Sequence, residues 1–250
     1  MNDYVLTFDI DWASDDVIDY VAGRLIDAEV RSTWYVTHRA PAIDRLRERP
    51  DLFELGIHPN FLPGSTHGET VSEVLAHCLD LVPDARSIRT HSLAQSSYTF
   101  VTISEETDIR IDSSLFVPRM PGLQPVEYRV YGESFCRIPY FWEDDEEMEY
   151  DPASWTPGDT FATSGLKVLD FHPIHVFLNS PHLDSYRNAK SRVTDLRDAT
   201  AQDLAPYVFD GEGTRTMFDS VVDALEGHQT RTITDIHRAW TLGEFEGALA

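Results

Sequence analysis

Seven short β-rich runs alternate with amphipathic stretches along this chain, and that alternation limits the folds open to it. The runs are residues 4–11, 31–38, 52–59, 87–92, 109–115, 135–141 and 166–176. Helical patterns fill most of the intervals, at 14–29, 41–49, 69–82 and 97–107, with 214–227 and 235–240 after the last run. Ser14 stands where it can cap the first helix, Asp15 and Asp16 suit its positive end, and Pro41 opens the second. Strand–helix alternation brings successive strands side by side in parallel through crossover helices. The pattern predicts the α/β class, as a single (β/α) barrel of about seven parallel strands filling residues 1–250 as one domain. No internal repeat, coiled coil or linker interrupts it. The acidic run Glu143–Glu149 reads as a solvated loop.

The first run ends in a way that apolar burial does not explain. "VLTFDIDW", Val5 to Trp12, carries two aspartates one residue apart. Residues i and i+2 of a strand share a face, so Asp9 and Asp11 point together and repel. A cation beside them removes that cost; the plainer alternative is a solvated strand end, with Asp11 capping a helix. Other runs repeat the pattern. One ends in His58. Another puts Ser87, Arg89 and His91 on one face. The next ends in Asp112, and the last places Val168, Asp170 and His172 together. In a (β/α) barrel these C-terminal strand ends converge on one face, where the active site lies. Such residues suit metal-assisted hydrolysis. Asp11 and His58 are candidate ligands for a divalent ion, most simply zinc, with Asp9 as general base and His172 as general acid.

Bulk composition removes other functions. Acidic residues number 43 against 20 basic ones, for a formal net charge of −23. Such a surface repels nucleic acid and anionic membranes, so neither is expected as a partner. Only Lys167 and Lys190 are lysines. A GC-rich genome explains arginine over lysine but not the acid excess, whereas adaptation to high salt explains both and predicts salt-dependent folding. The two cysteines, Cys78 and Cys136, lie far apart and read as small buried hydrophobes. No signal-peptide pattern opens the sequence, and no apolar run reaches the ~20 residues of a membrane span. A cytoplasmic protein is expected.

In order along the chain, these residues resemble the motifs of the NodB-like polysaccharide deacetylases, carbohydrate esterase family four, over roughly residues 4–177. "TFDID" resembles that family's Thr-Phe-Asp-Asp with Ile10 inserted, which implies Asp9 as base and Asp11 as metal ligand. "ELGIHPN" resembles the start of its His-Ser-x-x-His motif. His58 matches the first histidine, and Leu62 stands in place of the second. His67, in the loop "PGSTHG", is the first choice for the third ligand, with Asn60 and His91 as alternatives. "IRTHSL" occupies the place of Arg-x-Pro-Tyr, which makes Arg89 the residue orienting the base. "RIDSSL" resembles the fourth motif and sets Asp112 near the acid. "LDFHPIH" resembles the last motif, with His172 as acid and His175 as its rival or a buried structural residue.

The resemblance implies a distorted (β/α) barrel that uses a divalent metal to remove N-acetyl groups from sugars. The expected substrate is a carbohydrate or other small N-acylated molecule, with the oligomeric state open. Alternatives are a catalytically silent carbohydrate-binding relative, an amidohydrolase of a small non-sugar substrate, or a structural domain whose strand-end charges pair among themselves. Trp12, Trp34, Tyr140 and Trp142 are candidates to stack on sugar rings, Trp12 foremost, although most such aromatics serve packing.

Overall fold

The computed structural model describes residues 4–245. Its strands are β1 (Tyr4–Asp9), β2 (Ser32–Val36), β3 (Phe53–Ile57), β4 (Ser87–Ile88), β5 (Ile111–Asp112), β6 (Val126–Val130), β7 (Glu133–Arg137), β8 (Trp142–Glu143) and β9 (Lys167–Phe171). They form one sheet in the order β6-β7-β5-β4-β3-β2-β1-β9-β8. All neighbours are parallel except β6 and β7, which make a hairpin.

That sheet closes on itself through one extended segment. β7 pairs with β5, and six residues later β8 pairs with β9. Between them Ile138 N donates to Asp112 O at 2.8 Å, Tyr140 N to Leu115 O at 3.0 Å, and Phe141 N to Val168 O at 2.8 Å. Residues 133–143 are therefore a single bent stave bridging β5 to β9. Counting it once leaves the seven parallel staves that the sequence pattern implies, in a distorted barrel. The hairpin strand β6 hangs outside and is an addition to that pattern.

Helices α1 (Asp15–Asp27), α2 (Pro41–Arg47), α3 (Val71–Leu81) and α4 (Ser97–Glu106) each lie between successive staves. The one-turn α5 (Asp144–Glu147) follows β8, and α6 (Pro173–Leu178) follows β9. Then come α7 (Leu183–Arg192), α8 (Ala201–Leu204), α9 (Thr214–Leu225) and α10 (Ile233–Thr241). α1 buries Val17, Ile18, Val21, Ala22 and Leu25, the stripe its period predicts. Ser14 sits at its N-cap, but its hydroxyl makes no capping bond. Asp15 instead accepts from Ala42 N at 2.7 Å, satisfying an orphan donor at the start of α2. The run 166–176 splits at Pro173, which has no N–H for a ladder and starts α6.

Alternation along the staves separates two chemistries. Leu6, Phe8, Trp34 and Phe171 face outward, where Phe8 stacks on Trp34 at 4.4 Å and meets Phe218 of α9 edge-on. Thr7, Asp9, Tyr35, Ser87, Arg89 and Asp170 share the inner face and are buried. The barrel lumen is thus polar and filled. Gly56 is required there, since a Cβ would lie 2.7 Å from the Tyr35 ring and 2.8 Å from Ser87 Oγ. Cys78 and Cys136 are free and buried. Among the described residues, no helix is long and apolar enough to cross a membrane.

Candidate active site

Asp11 follows β1 in a turn that Trp12 allows by taking a left-handed φ of 61°. Its Oδ2 lies 3.2 Å from His58 Nε2 and 3.0 Å from His91 Nδ1, and those two nitrogens are 3.3 Å apart. Ligands at about 2.0–2.2 Å around a tetrahedral ion stand about 3.3–3.6 Å from one another, close to the size of this triangle. One carboxylate and two imidazoles are also a donor set suited to zinc. Burial opposes the Asp11 charge, but His58 and His91 outweigh it and hold the carboxyl well below its usual range. Burial likewise disfavours His58 charging, and Asp9 and Asp11 reverse that and raise its pKa.

His91 reaches the triangle through a sharp bend after β4. Ser92 and Leu93 have φ of 51° and 54°, and His91 N donates to Pro59 O at 3.0 Å. Two successive non-glycine residues in the left-handed region are a strained arrangement of the kind that gathers at functional sites.

Asp9 sits at the edge of the triangle, its Oδ2 3.5 Å from His58 Nδ1. Its Oδ1 accepts from Arg89 Nη1 at 3.1 Å. Arg89 is fully enclosed. Its guanidinium also pairs with Asp170, and it donates to Ser113 O at 3.1 Å and Ser113 Oγ at 3.2 Å. The rings of Tyr35 and Tyr140 sandwich it, each 4.6 Å from its central carbon. Asp170 accepts a further bond from Thr7 Oγ1 at 2.8 Å. Asp9 is therefore held by a cation that cannot turn away.

His172, the residue before α6, is held by Asp144. That carboxylate accepts from His172 N at 2.9 Å and lies 2.7 Å from His172 Nδ1, leaving Nε2 as the ring's free atom. Burial lowers an imidazole pKa, but Asp145 and Asp144 dominate and hold His172 well above its ordinary value. Ligand atoms of Asp9, Asp170 and His172 lie within 4.8 Å of one another, so base and acid candidates share one pocket. Burial, only partly offset by His172, pushes the Glu143 carboxyl up to about 7.

The acidic run is thus no solvated loop. Asp144 and Glu147 are buried, Asp144 on His172 and Glu147 on Arg119 and Trp142 Nε1. Asp145 lies 2.8 Å from His175 Nε2. Glu143, Asp144 and Asp145 are the site residues that sequence reasoning missed. A signal existed, since they follow a strand end like the other polar residues. β8 is only two residues long and gave no strand pattern to place them.

Several expected positions lie elsewhere. His67 is not brought to Asp11 and His58. Its loop folds back on α3, so the ring stacks on His77 at 4.7 Å and its Nδ1 accepts from Asn60 N at 3.2 Å. Burial and the neighbouring His77 lower its pKa to about 4. The side chain of Asn60 turns back to accept from Leu62 N at 3.0 Å. Asp112 also stays away from His172, because its neighbour Ser113 takes the inner face of that stave. Asp112 points outward and pairs with Arg137 at 2.7 Å. Trp34 and Trp142 are core, and Tyr140 belongs to the Arg89 clamp. Trp12 is 40% exposed, with Lys190 Nζ 3.6 Å from its ring centre.

The pocket holding Asp9, His58, Glu143, Asp145 and His172 measures about 240 Å³. A groove of about 470 Å³ adjoins it, sharing Asp11 and His91 and passing Trp12 and His67.

The architecture is that of the NodB-like deacetylases, as the order of the motifs implied. Within them, the sequence model of the WbmS-like polysaccharide deacetylases matches residues 6–190, and the chain belongs to that family. It is similar to WbmS of Bordetella bronchiseptica, a protein assigned as a polysaccharide deacetylase involved in O-antigen biosynthesis. The two are 36% identical with a TM-score of 0.77, covering 88% of this chain and 90% of that one. The fold is also similar to 4-alpha-glucanotransferase from Thermococcus litoralis, with a TM-score of 0.55 at 10% identity, over 96% of this chain and 39% of that one. No curated protein matches the sequence.

Proposed function

We propose that this chain is a metal-dependent hydrolase that removes an N-acyl group, in the first instance N-acetyl, from an amino sugar of surface-polysaccharide metabolism in the cytoplasm. Family membership supports the chemistry, and the assignment of WbmS to O-antigen biosynthesis supports the substrate class. The observation that carries the reading is the placement of Asp9, clamped by Arg89, and His172, held by Asp144, in one pocket with the Asp11–His58–His91 triangle.

Asp11, His58 and His91 are the residues that would hold the ion. When bound, a zinc-type ion polarises the acyl carbonyl and makes water acidic enough to lose a proton near neutral pH. Asp9 would accept that proton, its carboxylate held in place by the bond from Arg89 to Oδ1. As the acyl carbon–nitrogen bond breaks, imidazolium His172 passes its proton to the departing nitrogen. The products are an amine and a carboxylate. His91 supplies the second imidazole that the missing second-motif histidine left open, so the silent-relative reading loses its main support.

The direct test is release of acetate from N-acetylated sugars and their nucleotide-linked forms, with metal content measured alongside. The charge state of His172 gives a second one. Its pKa is raised, so the acid form persists through neutral pH and is lost as pH climbs past the raised value. Asp144→Asn removes one of the carboxylates responsible. The alkaline limb of the pH–rate profile is expected to move down by about one unit or more. An unmoved limb assigns it to another group.

The acid excess also suits a high-salt source. Raising salt from about 0.1 M to 1 M shortens the Debye length from about 10 Å to about 3 Å. The thermal midpoint is expected to rise accordingly, by about 2–4 °C per kcal/mol of repulsion relieved. A midpoint flat with salt in thermal scans refutes this.

A further inference from the structure

A second set of ligand atoms lies in the same barrel mouth. Asp145, His172 and His175 each offer one, and these lie within 4.8 Å of one another. Both imidazoles are already held from behind. His172 Nδ1 is 2.7 Å from Asp144 Oδ1, and His175 Nδ1 is 3.3 Å from Ser180 Oγ. Outer partners of this kind orient metal-ligating histidines and decide which nitrogen faces the ion. In both rings they leave Nε2, and His175 Nε2 lies 2.8 Å from Asp145 Oδ1. Asp145 lines the 240 Å³ pocket, which opens a route from solvent. Two imidazoles and a carboxylate with room for water repeat the donor set of the Asp11 triangle. The region is also rich in negative charge. Asp9, Asp11, Glu143 and Asp145 line the pocket with Arg89, while Asp170 pairs with Arg89 and Asp144 with His172.

We propose that Asp145, His172 and His175 form a second, inhibitory site for a divalent ion of the zinc type. The ion takes the place of the proton on His172, because both need Nε2. A filled second site leaves no acid to protonate the departing nitrogen, so excess zinc shuts the enzyme down. The inhibition rests on the function proposed above; the binding itself does not.

The test counts ions. Metal-stripped full-length protein is equilibrated with rising zinc, and bound metal is measured by mass spectrometry, with circular dichroism as the check on folding. Wild type is expected to reach about two ions per chain, and Asp11→Ala and His175→Gln about one each. Asp145→Asn replaces His175→Gln if the latter does not fold. In the activity assay, excess zinc is expected to slow wild type by about 10²-fold, the lower end of what a general acid contributes. The rate of His175→Gln is expected to be indifferent to the same excess. A wild type that stops at one ion, lost in Asp11→Ala, overturns this inference and leaves the Asp11 centre standing. A single ion lost in His175→Gln but kept in Asp11→Ala supports the second site and overturns the first. Two ions on His175→Gln overturn the inference outright.

Discussion

Asp9→Asn is expected to lower kcat by about 10²–10⁴-fold while the protein keeps its metal, because it removes a general base and little else. Asparagine has nearly the shape of aspartate and can still accept from Arg89 through its amide oxygen, so the clamp between Tyr35 and Tyr140 stays filled. It has no carboxylate to take a proton. The spacing of the Asp11, His58 and His91 atoms follows the turn after β1, the end of β3 and the bend after β4, and asparagine keeps an oxygen or amide beside His58 Nδ1, which Asp9 Oδ2 faces at 3.5 Å. Acetate release, metal content and thermal midpoint measured on one preparation separate the cases. Lost turnover with retained metal supports the assignment, whereas a kcat within a few-fold of wild type rejects it. Simultaneous loss of metal and fold makes Asp9 structural, with Arg89 left as a buried charge lacking one partner.

Asp11→Ala has the second large effect. It takes the only carboxylate from the triangle and leaves two imidazoles 3.3 Å apart. Loss of a mere outer partner weakens metal sites by about 10–100-fold, so loss of a ligand is expected to exceed about 100-fold. Metal content after dialysis should fall to background at this centre, and turnover with it. The stabilisation that a bound ion confers on the native state is lost as well, together with the contacts of Asp11 to His58 and His91, so the variant is expected to melt below metal-stripped wild type. The Asp11 pKa is held down by His58 and His91, and the ion-free triangle is itself a favourable cluster in the wild type. His58→Ala is therefore expected to lower affinity in parallel. A variant that keeps both its ion and its activity removes Asp11 from the ligand set.

Asp9, Asp11, His58, Arg89, His91 and His172 all came into view from one rule, that ionisable residues at the ends of parallel strands meet at one barrel face. Arg89 and His91 were also paired by parity, and the lumen confirms Arg89 on the inner face. The same parity argues against Asp112, because Ser113 beside it bonds Arg89 from inside. His67 failed for a different reason. A loop position has no period, and only packing of residues 59–68 on α3 decides where its ring goes. Asp144 failed because a two-residue strand and a one-turn helix carry no pattern, so a buried hydrogen-bonding carboxylate looked like one more solvated acid.

The α/β alternation and the candidate strand-end residues were legible in the sequence, because periodicity is carried by neighbours in the chain, whereas the polar, filled lumen emerged only from the folded barrel. Tertiary structure alone decided that residues 133–143 close the barrel and that His91 completes the triangle. It also decided that Asp144 and Asp145 hold His172 and His175. Each of these joins groups far apart in sequence across a loop or a short strand, where no period constrains the chain and only long-range packing and hydrogen bonding choose the partner.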